Sequence, residues 1–376
     1  MLDAKKKFYL FKKEKNFCAV PWNNIKVGMD GSVTTCTHGT ETLGHVKNHT
    51  IDKILYHDKL NSIRDDLFNN LAISNCSMCK SYETNDYHYL RGLYNELFAS
   101  SQVDYSNNSE FTLSAIDLHW SSICNLKCIT CWAKQSSSIA VEQGEPILHT
   151  PTVDANKIID YIVQNQNNLK EIYLSGGEPT LIKYNLTLLK KLEKRENLQI
   201  RINTNMTFDA DNQIISELKK FPNVMFTISA DAIQDRFEYI RRGAQWEKFL
   251  YNLTELKRLH FKWRMNSVFF VCSALKLIET FDFFRQNFDI QDFTINQLQM
   301  NHFDLQARNL PQKIKDVCVE KYLLELGKDK NLTGQLQNCI NELQLSKLAS
   351  YQAYLDNIDR LTNKNWKEIF PELYDG

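Results

Sequence analysis

The chain of 376 residues carries 45 basic and 45 acidic side chains, for a formal net charge of zero, with 43% hydrophobic and 11% aromatic residues. A neutral chain of this length has apolar material for a large core or several domains, and no global field that would draw it to nucleic acid or an anionic membrane. No stretch reaches the ~18 uninterrupted apolar residues of a membrane span, and the charged N-terminus lacks the apolar run and small-residue site of a signal peptide. The expected location is therefore the cytoplasm, with no nucleic-acid or membrane partner.

The first element in the chain is a basic run, Lys5, Lys6, Lys7, Lys12, Lys13 and Lys15, which reads as a solvated terminus rather than a binding arm. Ten cysteines follow. In a reducing compartment they point to metal or catalysis, not to a disulfide framework. Cys18, Cys36, Cys76 and Cys79 form an N-terminal set. Residues 25–33 read as a hairpin with Asp30-Gly31 at the turn, which would carry Cys18 and Cys36 back towards each other. A helical stretch near 51–69 then leads to the knuckle Cys76-Ser-Met-Cys79. Four thiolates can close an S4 site, and the spacing alone leaves zinc and a fully ligated iron–sulfur cluster both open.

From about residue 112, short apolar runs alternate with amphipathic ones. Strands are expected over 115–120, 171–175, 198–203, 224–229, 263–271 and 292–298. Helices are expected over 157–168, 184–195, 213–221, 245–260 and 275–288. Such alternation predicts a parallel sheet with crossover helices, and so an α/β fold: a partial, six-unit TIM-like barrel with a small N-terminal α+β domain.

The polar signals gather at the carboxyl ends of these strands, where parallel α/β proteins build their sites. After the first strand comes Cys124-Asn-Leu-Lys-Cys128-Ile-Thr-Cys131. Three thiolates without an obvious fourth suit a four-iron cube with one open iron, whereas zinc favours paired knuckles and four ligands. After the second strand come Gly176, Gly177, Glu178 and Pro179, and after the third Asn203. The fourth ends in Ser229 and Asp231, with Arg241 and Arg242 ten residues on. Each alone could be a turn glycine or a helix cap; their shared location marks a site. Cys272, Cys318 and Cys339 sit in apolar or helical patterns and read as core. After Pro311 the chain is expected to be helical, including 317–326 and 343–361, as a C-terminal cap. The expected domains are 1–108, 109–305 and 306–376.

The Cys-x3-Cys-x2-Cys loop, the Gly-Gly-Glu-Pro and the Ser-x-Asp, in that order, resemble the radical S-adenosylmethionine (radical SAM) superfamily. Cys18, Gly31, Cys36, Cys76 and Cys79 resemble the auxiliary-cluster domains called SPASM and twitch, the one-cluster twitch form above all. The resemblance implies that Cys124, Cys128 and Cys131 hold three irons of a 4Fe-4S cluster whose fourth iron is chelated by S-adenosylmethionine. It implies that the Gly176–Glu178 backbone receives the amino group of this cofactor. Ser229 and one of Arg241 or Arg242 would meet its carboxylate or ribose, with Asn203 and Asp231 in the same cofactor-binding set. It further implies that Cys18, Cys36, Cys76 and Cys79 hold an auxiliary 4Fe-4S cluster that accepts an electron.

The implied reaction is reductive cleavage of S-adenosylmethionine to a 5′-deoxyadenosyl radical and hydrogen abstraction from a substrate. A reducing partner such as flavodoxin or ferredoxin would supply the electron. The first expectation is an oxidoreductase acting on a small molecule such as a sugar-like or nucleotide-linked alcohol. A peptide- or protein-modifying enzyme is the alternative, and a non-catalytic metal-binding protein the third reading. Two features depart from the family pattern. The auxiliary set precedes the barrel, and Thr130 stands where an aromatic residue is common, with Trp132 just after. No residue stands out in the sequence as a base.

Overall fold

The computed structural model describes residues 10–11, 14–83, 90–298 and 300–374. Lys5, Lys6, Lys7, Lys12 and Lys13 of the basic run lie outside them. The chain divides into two compact units. The first comprises residues 1–123, 147–202 and 211–224, and the second comprises residues 124–146, 203–210 and 225–376.

The first unit begins with the expected hairpin. Strand β1 (Asn24–Val27) pairs antiparallel with β2 (Ser32–Thr34), and β2 with β3 (Gly44–His45). At the turn, Gly31 adopts φ +78°, a left-handed conformation that glycine reaches without steric cost. On its other side β1 pairs parallel with β4 (Ala115–Leu118). The parallel sheet then continues through β5 (Glu171–Leu174) to β6 (Gln199–Thr204). The N-terminal hairpin and the first expected barrel strand thus share hydrogen bonds of one sheet.

Alternation along these strands separates two faces. Ile116, Leu118, Ile172, Leu174, Ile200 and Ile202 are fully buried. So are Ile158, Ile159 and Ile162 of helix Thr152–Gln164, and Leu188 and Leu189 of helix Lys183–Lys191. Two helices, Ile51–Leu55 and Asp58–Phe68, replace the single stretch expected near 51–69. His57 breaks the run, since its extended backbone and Nδ1 acceptor cap the second helix.

In the second unit β7 (Val224–Ser229), β8 (Lys262–Phe269) and β9 (Phe293–Gln297) are parallel neighbours. Helices Trp246–Arg258 and Leu277–Phe288 lie between them in the chain. Trp246, Phe249, Phe283 and Phe284 form an aromatic cluster with ring centroids 5.2–6.3 Å apart. All six expected β/α strands are present, and the fold is α/β with parallel crossovers. Cys272, Cys318 and Cys339 are buried as expected.

The C-terminal extension is helical, over Gln312–Glu325, Lys330–Gln344 and Gln352–Thr362. Gln335 seals the backbone edge of β9, accepting from Ile295 N at 2.6 Å and donating to Phe293 O at 3.2 Å. The single helix expected over 343–361 is corrected. The chain is non-helical at 345–350, where Leu348 N and Ala349 N donate to the buried Asn309 side chain instead of to the backbone. No helix among the described residues is long and apolar enough to cross a membrane.

Candidate iron–sulfur and S-adenosylmethionine sites

In the first unit Cys18, Cys36, Cys76 and Cys79 line one cavity, together with Arg91 and Tyr94. Each arrives on a different support. Cys18 precedes the short helix Val20–Asn23, and Cys36 follows the hairpin. Cys76 ends a 3-10 turn, and Cys79 lies in the helix that follows, Ser77–Tyr82. Asn95 brackets Cys18, accepting from Ala19 N at 2.8 Å and donating to Phe17 O at 3.1 Å. Burial raises all four thiols, Cys76 and Cys79 to about 12, and neighbouring cysteines add to the rise at Cys18, Cys76 and Cys79. Four thiols around one hollow, one buried and three half-buried, have a chemical use when a cationic metal centre takes up their thiolates. Four cysteines that line one cavity from three chain segments can serve as the ligand set of a multi-iron cluster.

In the second unit Cys124, Cys128 and Cys131 lie on an irregular loop, neither strand nor helix. Three serines at the start of helix Ser137–Gln143 fasten its beginning. Ser137 Oγ accepts from Cys124 N at 3.0 Å, Ser138 Oγ donates to Cys124 O at 2.7 Å, and Ser136 Oγ donates to Leu126 O at 2.6 Å. The middle is zipped to the end of helix Gln234–Ile240: Lys127 N donates to Arg242 O at 2.8 Å and Ile129 N to Ile240 O at 2.9 Å. Asn205 Nδ2 donates to Asn125 Oδ1 at 3.0 Å and points to Cys124 Sγ at 3.9 Å. Trp132 meets His302 at 6.1 Å between ring centroids, and His302 meets Tyr354 at 6.0 Å. Tyr354 donates its hydroxyl to Ile129 O at 2.9 Å. The sequence reading missed His302 and Tyr354, which stand 171 and 223 residues beyond Cys131 with no spacing rule to flag them. Ser136-Ser-Ser138, just after the third cysteine, was a visible signal.

The remaining expected residues fall into four groups. Asp231 and Arg241 form a buried ion pair at 2.8 Å, and Asp231 Oδ1 also accepts from Val268 N at 2.7 Å. Burial works against the Arg241 charge, but Asp231 and Cys128 outweigh it and hold its pKa above the ordinary value. The same guanidinium hydrogen-bonds Cys128 and opposes the rise that burial imposes on that thiol. Arg242 is engaged differently, by Glu142 at 2.8 Å, and Glu142 also takes Lys127 at 2.9 Å. Ser229 and Asn203 are brought together, the hydroxyl donating to Asn203 Oδ1 at 3.3 Å.

Gly176, Gly177 and Glu178 belong to the first unit and run flush against residues 121–123. Gly177 N donates to Ser121 O at 2.9 Å and Glu178 N to Ile123 O at 2.7 Å. Gly176 has φ +114°, and a Cβ on Gly177 would lie 2.2 Å from Ile123 O. Only glycine permits that approach. The Glu178 carboxylate caps the next turn, accepting from Thr180 N and Thr180 Oγ1 at 3.1 and 2.7 Å.

Comparison with known proteins gives two domain matches. Residues 118–271 match the family model of the radical SAM superfamily, and residues 18–80 match that of the SPASM iron–sulfur cluster-binding domain. No curated protein matches the chain. Among solved structures it resembles native anSMEcpe with bound AdoMet, at 17% identity and TM-score 0.42 over 57% of this chain and 60% of that one. The match therefore spans less than two thirds of that relative's length. It also resembles Streptococcus suis SuiB bound to the precursor peptide SuiA, at 15% identity and TM-score 0.41 over 80% of this chain and 69% of that one. A third is TYW1 with a lysine–pyruvate adduct bound, at 19% identity and TM-score 0.35 over 55% of this chain and 71% of that one. The two domain matches imply S-adenosylmethionine and two 4Fe-4S clusters, one binding S-adenosylmethionine and one auxiliary.

Proposed function

The chain belongs to the radical SAM superfamily with a SPASM-type cluster domain, and on that premise we propose that it is an oxidoreductase that abstracts hydrogen from a small-molecule alcohol. The cofactors supply, when bound, a reductively generated 5′-deoxyadenosyl radical and an auxiliary electron acceptor. The chain's own residues bind, orient and shield them.

Cys124, Cys128 and Cys131 are the proposed ligands of the S-adenosylmethionine-binding cluster, leaving one iron without a protein ligand. Arg241, fixed by Asp231, places a positive charge at Cys128 and favours its thiolate. The Gly177 and Glu178 amides are already spent on carbonyls. An amino group is itself a donor, so this segment would receive it on carbonyl oxygens. Asn203 and Ser229 are the proposed polar contacts of the cofactor. Cys18, Cys36, Cys76 and Cys79 are the proposed auxiliary ligands.

The observation that carries the enzymatic reading is the three-cysteine loop, with every sulfur on a segment anchored by hydrogen bonds to other elements. The small-molecule reading is supported by the second unit's strands. Asn266 and Asn296 are half-buried neutral donors and acceptors. Asn296 Nδ2 donates to Asn266 Oδ1 at 2.6 Å. Amides and hydroxyls of this kind suit a polyhydroxylated ligand.

Incubation of the anaerobically reconstituted protein with dithionite and S-adenosylmethionine should release 5′-deoxyadenosine. In the presence of a carbinol-deuterated sugar or nucleotide-sugar substrate, that product should carry deuterium. Nucleoside release with deuterium transfer from peptides, and from no small molecule, would replace the small-molecule reading with the peptide one. Absence of nucleoside under all conditions would sink the enzymatic reading.

A further inference from the structure

The first unit holds a polar row, half-buried except at one fully buried position, that neither cysteine set uses. Lys26, Asp117, Tyr173 and Arg201 are register partners on β1, β4, β5 and β6, so they share one face of the sheet. Arg201 lies 4.0 Å over the Tyr173 ring and pairs with Glu171 at 2.8 Å. His119, two residues beyond Asp117, has a buried Nε2 without a partner.

Asp117 stands out in this row. It is 1% exposed. Its Oδ1 accepts from the Tyr94 hydroxyl at 2.9 Å, while its buried Oδ2 has no hydrogen-bond partner. A buried carboxylate oxygen left unpaired is costly and calls for a functional account. Tyr94 also lines the cavity of Cys18, Cys36, Cys76 and Cys79. One side chain therefore joins the carboxylate to the cysteine cavity.

We propose that Asp117 is the proton-accepting group coupled to the auxiliary cluster, with Tyr94 as the hydrogen-bonded link between them. This rests on the reading that the first unit's cysteines hold that cluster. Oxidation of a carbinol radical to a carbonyl releases one electron and one proton. The electron is taken by the auxiliary cluster, reduced by one; the substrate's proton leaves to water, and as the cluster is reduced the Asp117 carboxylate takes one proton from water and becomes the acid. Added negative charge near a carboxylate favours its protonated form. By reciprocity, protonation of Asp117 favours reduction of the cluster.

The charged surroundings fit this role. Burial pushes the Asp117 carboxyl up to about 6; Arg201, the Tyr94 bond and Lys26 oppose the rise, and Glu171 adds to it. Burial and Asp117 hold the Tyr94 phenol well above its ordinary value, so it stays a neutral donor. His119 is lowered to about 3 by burial and does not compete as a cation. The negative charge of Asp117 is also felt at Cys36, where it adds to the rise caused by burial.

The test is an EPR-monitored redox titration of the auxiliary cluster in the full-length, reconstituted protein across pH 6–8. The account expects a midpoint potential that falls as pH rises, because deprotonation of Asp117 disfavours the added electron. The limit is a tenfold change in the reduction equilibrium per pH unit, about 59 mV for a one-electron couple. Asp117→Asn should flatten the profile near the low-pH value of the parent, since a neutral amide mimics the protonated acid. Tyr94→Phe keeps the carboxylate, loses the link, and should make the slope shallower. A pH-independent parent, or an Asp117→Asn variant that keeps the slope, overturns the proposal. If Asp117→Asn fails to fold, the parent and Tyr94→Phe profiles decide, and an unchanged slope in Tyr94→Phe overturns the link. Iron and sulfide counts separate these outcomes from failure of the premise. A chain that takes up no second cluster refutes the cluster assignment, and this inference with it.

Discussion

The two cysteine sites are built on opposite plans. The Cys124–Cys131 loop gathers three thiols within eight consecutive residues, so little chain must be ordered to bring them together. The N-terminal set draws four thiols from three separate segments spread over residues 18–79, and only the folded hairpin, helices and knuckle bring them to one cavity. The compact loop nonetheless depends on distant supports. Ser136–Ser138, Asn205, Ile240 and Arg241 hold its backbone or face its sulfurs. The dispersed set has its own clamp in Asn95. Local spacing can therefore announce a site, but the shape of either site belongs to the fold.

Substitutions of the supports sharpen this contrast. The largest effect is expected from Asp231→Asn, which leaves the buried Arg241 without its counter-charge. Breaking such a pair costs about 3–5 kcal/mol, and chemical denaturation should register it together with a loss of S-adenosylmethionine cleavage. An unaltered midpoint would show that the pair does not support the loop. Gly177→Ala comes next. Its Cβ would strike Ile123 O, and overpacking of this kind costs about 1–3 kcal/mol. A fall in S-adenosylmethionine affinity by isothermal titration, with both clusters still present, would place the defect at the cofactor. Asn95→Ala leaves Ala19 N without its acceptor and Phe17 O with Arg91 alone, a loss of about 1–3 kcal/mol. It should lower occupancy of the auxiliary cluster and spare nucleoside formation; equal loss from both sites would erase the distinction between them. Lys127→Ala removes a partly exposed partner of Glu142 and should change stability by under about 1 kcal/mol. A larger change would make that surface pair part of the loop's support.

Much of the scaffold was legible because its signals are local. The six strand patterns, the Asp30-Gly31 turn and both cysteine spacings depend on neighbouring residues. The misread elements were governed by remote partners. Asn309 captures the backbone at Leu348 and Ala349 and interrupts what periodicity reads as one helix. Sequence also could not show that Arg241 and Arg242, one of them expected at the cofactor, are each paired with a carboxylate, Arg241 with Asp231 and Arg242 with Glu142. Asp117 was invisible as a special residue, since it occupies one position of an apolar strand. Its unpaired oxygen and its bond to Tyr94, on the helix Leu90–Phe98, emerge only in the folded unit.

The central claim is that one chain carries two independent cluster sites with different duties. The most direct test measures iron, sulfide and 5′-deoxyadenosine in the parent, in Cys128→Ala and in Cys76→Ala, all reconstituted anaerobically. The account predicts about eight irons in the parent and about four in either variant, the content of one remaining cubane. Nucleoside release should be abolished in Cys128→Ala and retained in Cys76→Ala. Zinc in place of iron, or nucleoside release that survives Cys128→Ala, would contradict it.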